Sequence, residues 1–163
     1  MDIGSQSSID SPLRVQITAA AAALLSRLQE RHGPVMFHQS GGCCDGSSPM
    51  CYPDGEFIVG DRDVLLGVLL GAPVWISGSQ FETWKHTQLT IDVVPGRGGG
   101  FSVEAPEGVR FLSRGRAFTA AELDSLESEP PLTGADYERG RRPRDRADVI
   151  VDDGVDACRI PNR

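Results

Sequence analysis

Apolar positions along this chain change period twice. From Thr18 to Arg31 they follow helical spacing: Ala19 to Arg31 is built almost wholly of strong helix formers, and Leu24, Leu25 and Leu28 share one face. Thr18 can accept from the first free N–H groups, and Gly33-Pro34 ends the run. A helix is predicted there. Beyond it, short apolar runs separated by Gly, Pro and Asp predict strands at Val35 to Gln39, Glu56 to Val59, Val64 to Leu70, Val74 to Ser77, Leu89 to Val94, Phe101 to Ala105 and Val109 to Ser113. Thr119-Ala120-Ala121-Glu122 has the form of a capping box, which predicts a short helix running toward Leu126.

The two ends lack such a pattern. Residues 1–15 are Ser-rich and predict a mobile leader. From Ser128 the chain is Pro, Gly, Asp and Arg with few large apolar residues, a composition that does not offset the entropy of ordering, so 128–163 is predicted to be a disordered tail. The expected architecture is one α+β domain over 16–127, a β-rich body with an N-terminal covering helix and a short C-terminal helix.

Charge narrows the partners. Against 16 Lys and Arg stand 23 Asp and Glu, a formal net charge of −7, whereas nonspecific nucleic-acid binding needs a cationic surface. No apolar run approaches the roughly 20 residues that span a bilayer, and the opening MDIGSQSSIDSPL lacks the basic and apolar regions of a signal peptide. A cytoplasmic protein with neither nucleic acid nor membrane as partner is expected. An aromatic content of 6% and exposed sheet edges make a homodimer an expectation as well.

In a reducing compartment, clustered cysteines are ligands, nucleophiles or core residues rather than disulfides. Three of the four cysteines lie in His38-Gln39-Ser40-Gly41-Gly42-Cys43-Cys44-Asp45-Gly46-Ser47-Ser48-Pro49-Met50-Cys51-Tyr52. Thiolate and imidazole hold zinc, iron, Cu(I) or iron-sulfur centres, and the glycines let the backbone bend so that side chains converge. His38, Cys43, Cys44 and Cys51 are the candidate metal ligands, with His86 as a further candidate. Neighbours on an extended strand point to opposite faces, so one of Cys43 and Cys44 is expected to be a ligand and the other a core residue. Two other readings stay open. Cys43 or Cys44 is a nucleophile activated by His38 or His86, or the turn is architectural and its cysteines fill small apolar sites.

Other features read as structural. His32 suits a helix-end cap, and Cys158 falls in the expected tail. Gly96-Arg97-Gly98-Gly99-Gly100 lacks the Lys-Ser/Thr of a Walker loop and reads as a tight turn, while Arg110, Arg114 and Arg116 read as a solvated strand edge.

The stretch from Thr18 to Leu123, with HGPVMFHQSGGCCDGSSPMCYPDGEF, QFETWKHTQLTIDVVPGRGGGFSVE and EGVRFL, closely resembles an uncharacterised bacterial family, domain of unknown function 779. Members of that family tend to be encoded beside aldehyde and alcohol dehydrogenases. The resemblance therefore implies such a dehydrogenase as partner and an accessory role in aldehyde metabolism. Some members carry the label acetaldehyde dehydrogenase, but this chain is too short for that NAD-dependent enzyme and has no dinucleotide-binding βαβ unit. A small metal- or thiol-dependent enzyme acting on aldehydes, and a metal-free binding module, are the alternatives. More distantly, Gly41-Gly42-Cys43, Asp92, Phe101 and Pro106 resemble the HesB-like fold of the A-type iron-sulfur carriers. That likeness implies a ligand on the Gly-Gly-Cys turn. Nothing after Pro106 supplies those carriers' closing Gly-Cys-Gly-Cys-Gly segment.

Overall fold

The computed structural model describes residues 12–39, 49–96, 102–143 and 150–151. In chain order these form β1 (Val15–Thr18), α1 (Ala19–His32), β2 (Val35–Gln39), β3 (Met50–Pro53), β4 (Val64–Leu69), β5 (Ala72–Ile76), α2 (Gly78–Trp84), β6 (Thr87–Pro95), β7 (Val109–Ala117), α3 (Ala120–Glu127), α4 (Gly134–Glu138) and β8 (Ile150–Val151). The fold is α+β. Its strands make two four-stranded sheets, ordered β7-β6-β1-β8 and β3-β2-β5-β4.

The two sheets share one core. Val15, Ile17, Leu89, Ile91 and Phe111 of the first sheet and Val35, Phe37, Cys51, Val74 and Ile76 of the second belong to a single buried cluster. Phe37 meets Phe111 edge to face across it, with ring centroids 5.0 Å apart. The helix α1 adds Ala21, Ala22, Leu24, Leu25 and Leu28 to that cluster, the face expected from its periodicity. Its ends also match their sequence signals: the Thr18 side chain accepts from Ala21 N, and Gly33 caps the far end at φ 80° while donating to Gln29 O at 2.8 Å.

A second, smaller cluster covers the opposite face of the β3-β2-β5-β4 sheet. Met36, Leu65 and Trp75 form it, with Tyr52, Phe57, Val59, Leu132 and Tyr137 packed against them. Leu132 and Tyr137 fall in the stretch expected to be a disordered tail, so residues 128–143 differ from that expectation. Thr133 and Asp136 form a reciprocal capping box that starts α4, Leu65 N donates to Leu132 O, and the Tyr137 ring stands edge to face on Trp75 at 5.3 Å. Two apolar anchors, Leu132 and Tyr137, suffice because sheet edge and cap meet the backbone's hydrogen-bonding demand. Beyond 143, the expected tail lies outside the described residues except for β8, which pairs with β1.

The leader boundary moves as well. Val15 to Thr18 is a strand between β6 and β8, parallel to both. Glu56 to Val59 is not a strand: Glu56 N bonds Pro53 O in a turn, Phe57 folds back onto the sheet, and Ile58 is 89% exposed. Ser102 to Ala105 passes instead into a 3-10 turn at Ala105–Glu107 with Pro106 in its first turn, where proline's fixed φ and missing N–H fit a turn better than a ladder. Phe101 and Arg97 to Gly100 lie outside the described residues. No helix among the described residues is long and apolar enough to cross a membrane.

Candidate functional site

The β2-β3 ladder sorts the candidate ligands. It is antiparallel, with Phe37 opposite Cys51 and His38 opposite Met50. Directly opposed residues share a face and successive residues alternate, so the His38 and Cys51 side chains lie on opposite faces of the sheet. Packing agrees: Cys51 belongs to the large core with Phe37, whereas the His38 ring rests on Phe57 of the smaller cluster at 4.4 Å. The two are not brought together.

On the outer face His38 is almost wholly buried, 3% exposed, and its Nε2 lies 3.0 Å from Asp63 Oδ2. Phe57 covers the ring and itself stacks on Tyr52 at 4.9 Å. Asp63 is fixed in turn. Its Oδ2 accepts from Gly60 N at 2.9 Å, its N–H donates to Gly60 O at 3.1 Å, and its carbonyl accepts from Gly134 N at 2.8 Å. The start of α4 therefore clamps the Gly60 to Asp63 turn, and the turn holds the imidazole. A carboxylate can only accept, so Nε2 carries the proton and, in the neutral ring, Nδ1 holds the lone pair.

On the inner face Cys51 is fully buried. Burial first, and the neighbouring Glu104 carboxylate second, push its thiol far above the ordinary cysteine range. Glu104 is itself 1% exposed and accepts from the Ser102 hydroxyl and, at 3.2 Å, from Phe111 N. Ser102 also accepts from Cys51 N at 2.8 Å, and Val103 N donates to Cys51 O. Between the two sheets, the Ser113 hydroxyl of β7 donates to the buried Gln39 Oε1 of β2 at 2.9 Å. Burial and the adjacent Glu104 carboxylate together keep the thiol protonated and unreactive.

His86 stands apart from both. It precedes β6 in the other sheet, its carbonyl accepts from Phe118 N, and its side chain borders a depression with Arg14, Phe81 and Leu126. Cys43, Cys44 and Cys158 lie outside the described residues. The segment 40–48 joins Gln39 to Pro49, and Cys43 and Cys44 follow His38 by five and six positions, so chain connectivity keeps both within roughly 20 Å of it. Among the described residues no three His, Cys, Asp or Glu side chains are grouped for a metal ion.

Sequence reasoning missed Asp63, Phe57, Ser102 and Glu104. Asp63 sits in a Gly-Asp-Arg-Asp run that reads as an ordinary turn, and its pairing with His38 spans 25 positions. Arg114, read as a solvated edge residue, instead donates to Asp92 Oδ2 at 2.8 Å. Arg116 pairs with Glu122 on the surface.

No curated protein matches the chain. The sequence model of one family, described as Domain of unknown function (DUF779), matches residues 24–117, a span that holds α1 from Leu24, both sheets apart from β1 and β8, and His38, Asp63, Cys51 and Glu104. With more than half of its length matched, the chain belongs to the DUF779 family.

Proposed function

We propose that this protein is a cytoplasmic metal-binding accessory protein whose ion is held by His38 through Nδ1 together with the thiolates of Cys43 and Cys44. One observation carries the reading. A buried imidazole with its Nε2 proton on a carboxylate is the arrangement that orients metal-ligating histidines and raises their basicity, and Asp63 supplies it to His38 at 3.0 Å. Cys43 and Cys44, a few positions on, add the soft donors. Such a mixed set suits zinc or iron, and an iron-sulfur cluster is compatible with it. Cys51, on the inner face with a protonated thiol, and His86, in the other sheet, stand outside the set.

When bound, the ion would supply Lewis acidity or a structural cross-link. The chain's own part is to fix one buried imidazole against Phe57 and to supply thiols from the segment that follows β2. The role in aldehyde metabolism and the partnership with an alcohol or aldehyde dehydrogenase rest on the genetic neighbourhood of the family. A second reading is favoured by the same His38–Asp63 pair: an oriented imidazole can also deprotonate a nearby thiol, which would make the protein a small thiol enzyme acting on aldehydes.

Single variants separate these readings. Metal per chain of anaerobically purified protein, with thermal unfolding measured with and without chelator, is expected to fall for each of His38→Ala, Cys43→Ser and Cys44→Ser. Cys51→Ser and His86→Ala are expected to keep wild-type metal content. Since metal binding contributes directly to folding free energy, true ligand losses should also lower Tm and abolish its chelator sensitivity. If all five variants keep wild-type metal, or the wild type takes up none, the metal reading is wrong. A metal-free protein whose Cys43 or Cys44 is alkylated rapidly, and slowly in His38→Ala, would establish the thiol reading.

A further inference from the structure

Between the end of α2 and α3, lined by none of the residues around His38, is a cavity of about 260 Å³. Its walls divide by chemistry. Phe81, Leu123 and Leu126 are apolar, whereas Arg14, Lys85 and His86 bring cationic or protonatable groups. The volume falls just below the roughly 300 to 1,000 Å³ of clefts that take drug-sized ligands, so its occupant is a molecule of few heavy atoms.

Arg14 gives the cavity its polarity. Its Nη2 donates to the carbonyls of Leu126 at 3.3 Å and Glu129 at 3.2 Å, which pins the guanidinium at the exit of α3. Its Nε is buried and has no hydrogen-bond partner among the described residues. A buried donor left unpaired costs about 1 to 3 kcal/mol, and native proteins leave few such atoms without a partner, water or ion. Burial lowers the pKa of Arg14 by more than the nearby Glu129 raises it, so the existing carboxylate compensates its charge incompletely. Lys85 is held by Glu82 at 2.9 Å, and Glu127 stands on the rim, which disfavours a second negative charge on any ligand.

We infer that this cavity is a binding site for a small organic monocarboxylate, its carboxylate set against the Arg14 guanidinium and its short apolar body against Phe81 and Leu126. The site is separate from the His38 region and does not depend on metal.

The full chain would be titrated with butyrate, benzoate and their uncharged counterparts butyramide and benzamide, following the His86 ring resonances by NMR. Either acid is expected to shift the His86 signals saturably at fixed pH, with its amide at least tenfold weaker, and Arg14→Gln is expected to weaken acid binding at least tenfold. Because Arg14 also anchors the end of α3, the acid-against-amide contrast in the wild type stands as a test even where that variant unfolds. No saturable shift with either acid, equal shifts from acid and amide, or undiminished binding by a folded Arg14→Gln would each overturn the inference.

Discussion

Replacing Gly134 with alanine is expected to destabilise the protein by about 3 kcal/mol and to loosen His38, although the two residues belong to different elements. A Cβ at this position would lie 1.9 Å from Gly60 O, 2.9 Å from Gly60 C and 3.2 Å from Val59 Cγ1. Backbone rather than a flexible side chain blocks it, so α4 and the Gly60 to Asp63 turn would have to separate. That separation would break Gly134 N to Asp63 O and Ala135 N to Asp61 O, and would take from Asp63 the support that aims its carboxylate at His38. Urea unfolding with stability extrapolated to water checks the first effect, and metal content checks the second. A loss under 1 kcal/mol would show that α4 does not clamp the turn.

Arg114→Ala should cost a similar amount, about 3 kcal/mol at neutral pH, because it leaves a charge buried without its partner. Asp92 is 5% exposed and sits under three donors: Arg114 Nε at 2.8 Å, the Thr18 hydroxyl at 2.9 Å and Val93 N at 2.8 Å. Burial taken alone would raise its pKa. The Arg114, Val93 and Thr18 hydrogen bonds, with the Arg114 charge, outweigh burial and hold the carboxyl below its ordinary range. A depressed folded-state pKa gives stability that is fully present above the unfolded value of about 3.9 and is lost as pH falls through the folded value. The cost of Arg114→Ala should therefore shrink as pH falls into the acid range, since Asp92, buried and without Arg114, takes up its proton at higher pH in the folded variant than in the wild type. Equal costs at pH 7 and pH 3.5 would contradict the assignment.

Much of the fold is legible in the chain because its signals are local. The Thr18 cap and Gly33 stop bound α1, alternation and turn residues locate β2, β4, β5, β6 and β7, and Thr119 with Glu122 starts α3. What escapes is decided by distant partners. Val15-Gln16-Ile17-Thr18 alternates correctly, yet four residues make a strand only because Leu89 to Ile91 and Ile150-Val151 lie on either side. The segment around α4 looks like tail by composition and is ordered by Leu65, Trp75 and the Gly60 turn. At the candidate site, His38 is visible as a residue type, but the carboxylate that meets its Nε2 is not, and period-two alternation alone separates it from Cys51 once the register is known.

The proposed centre is ligated by one imidazole and loop thiolates. X-ray absorption at the metal edge of protein purified without oxygen tests it most directly. A zinc-loaded sample is expected to show sulfur scatterers at about 2.3 Å together with an imidazole nitrogen at about 2.0 to 2.1 Å, the imidazole pattern being lost in His38→Ala. A first shell of oxygen and nitrogen alone, or an imidazole signal that survives His38→Ala, would contradict it.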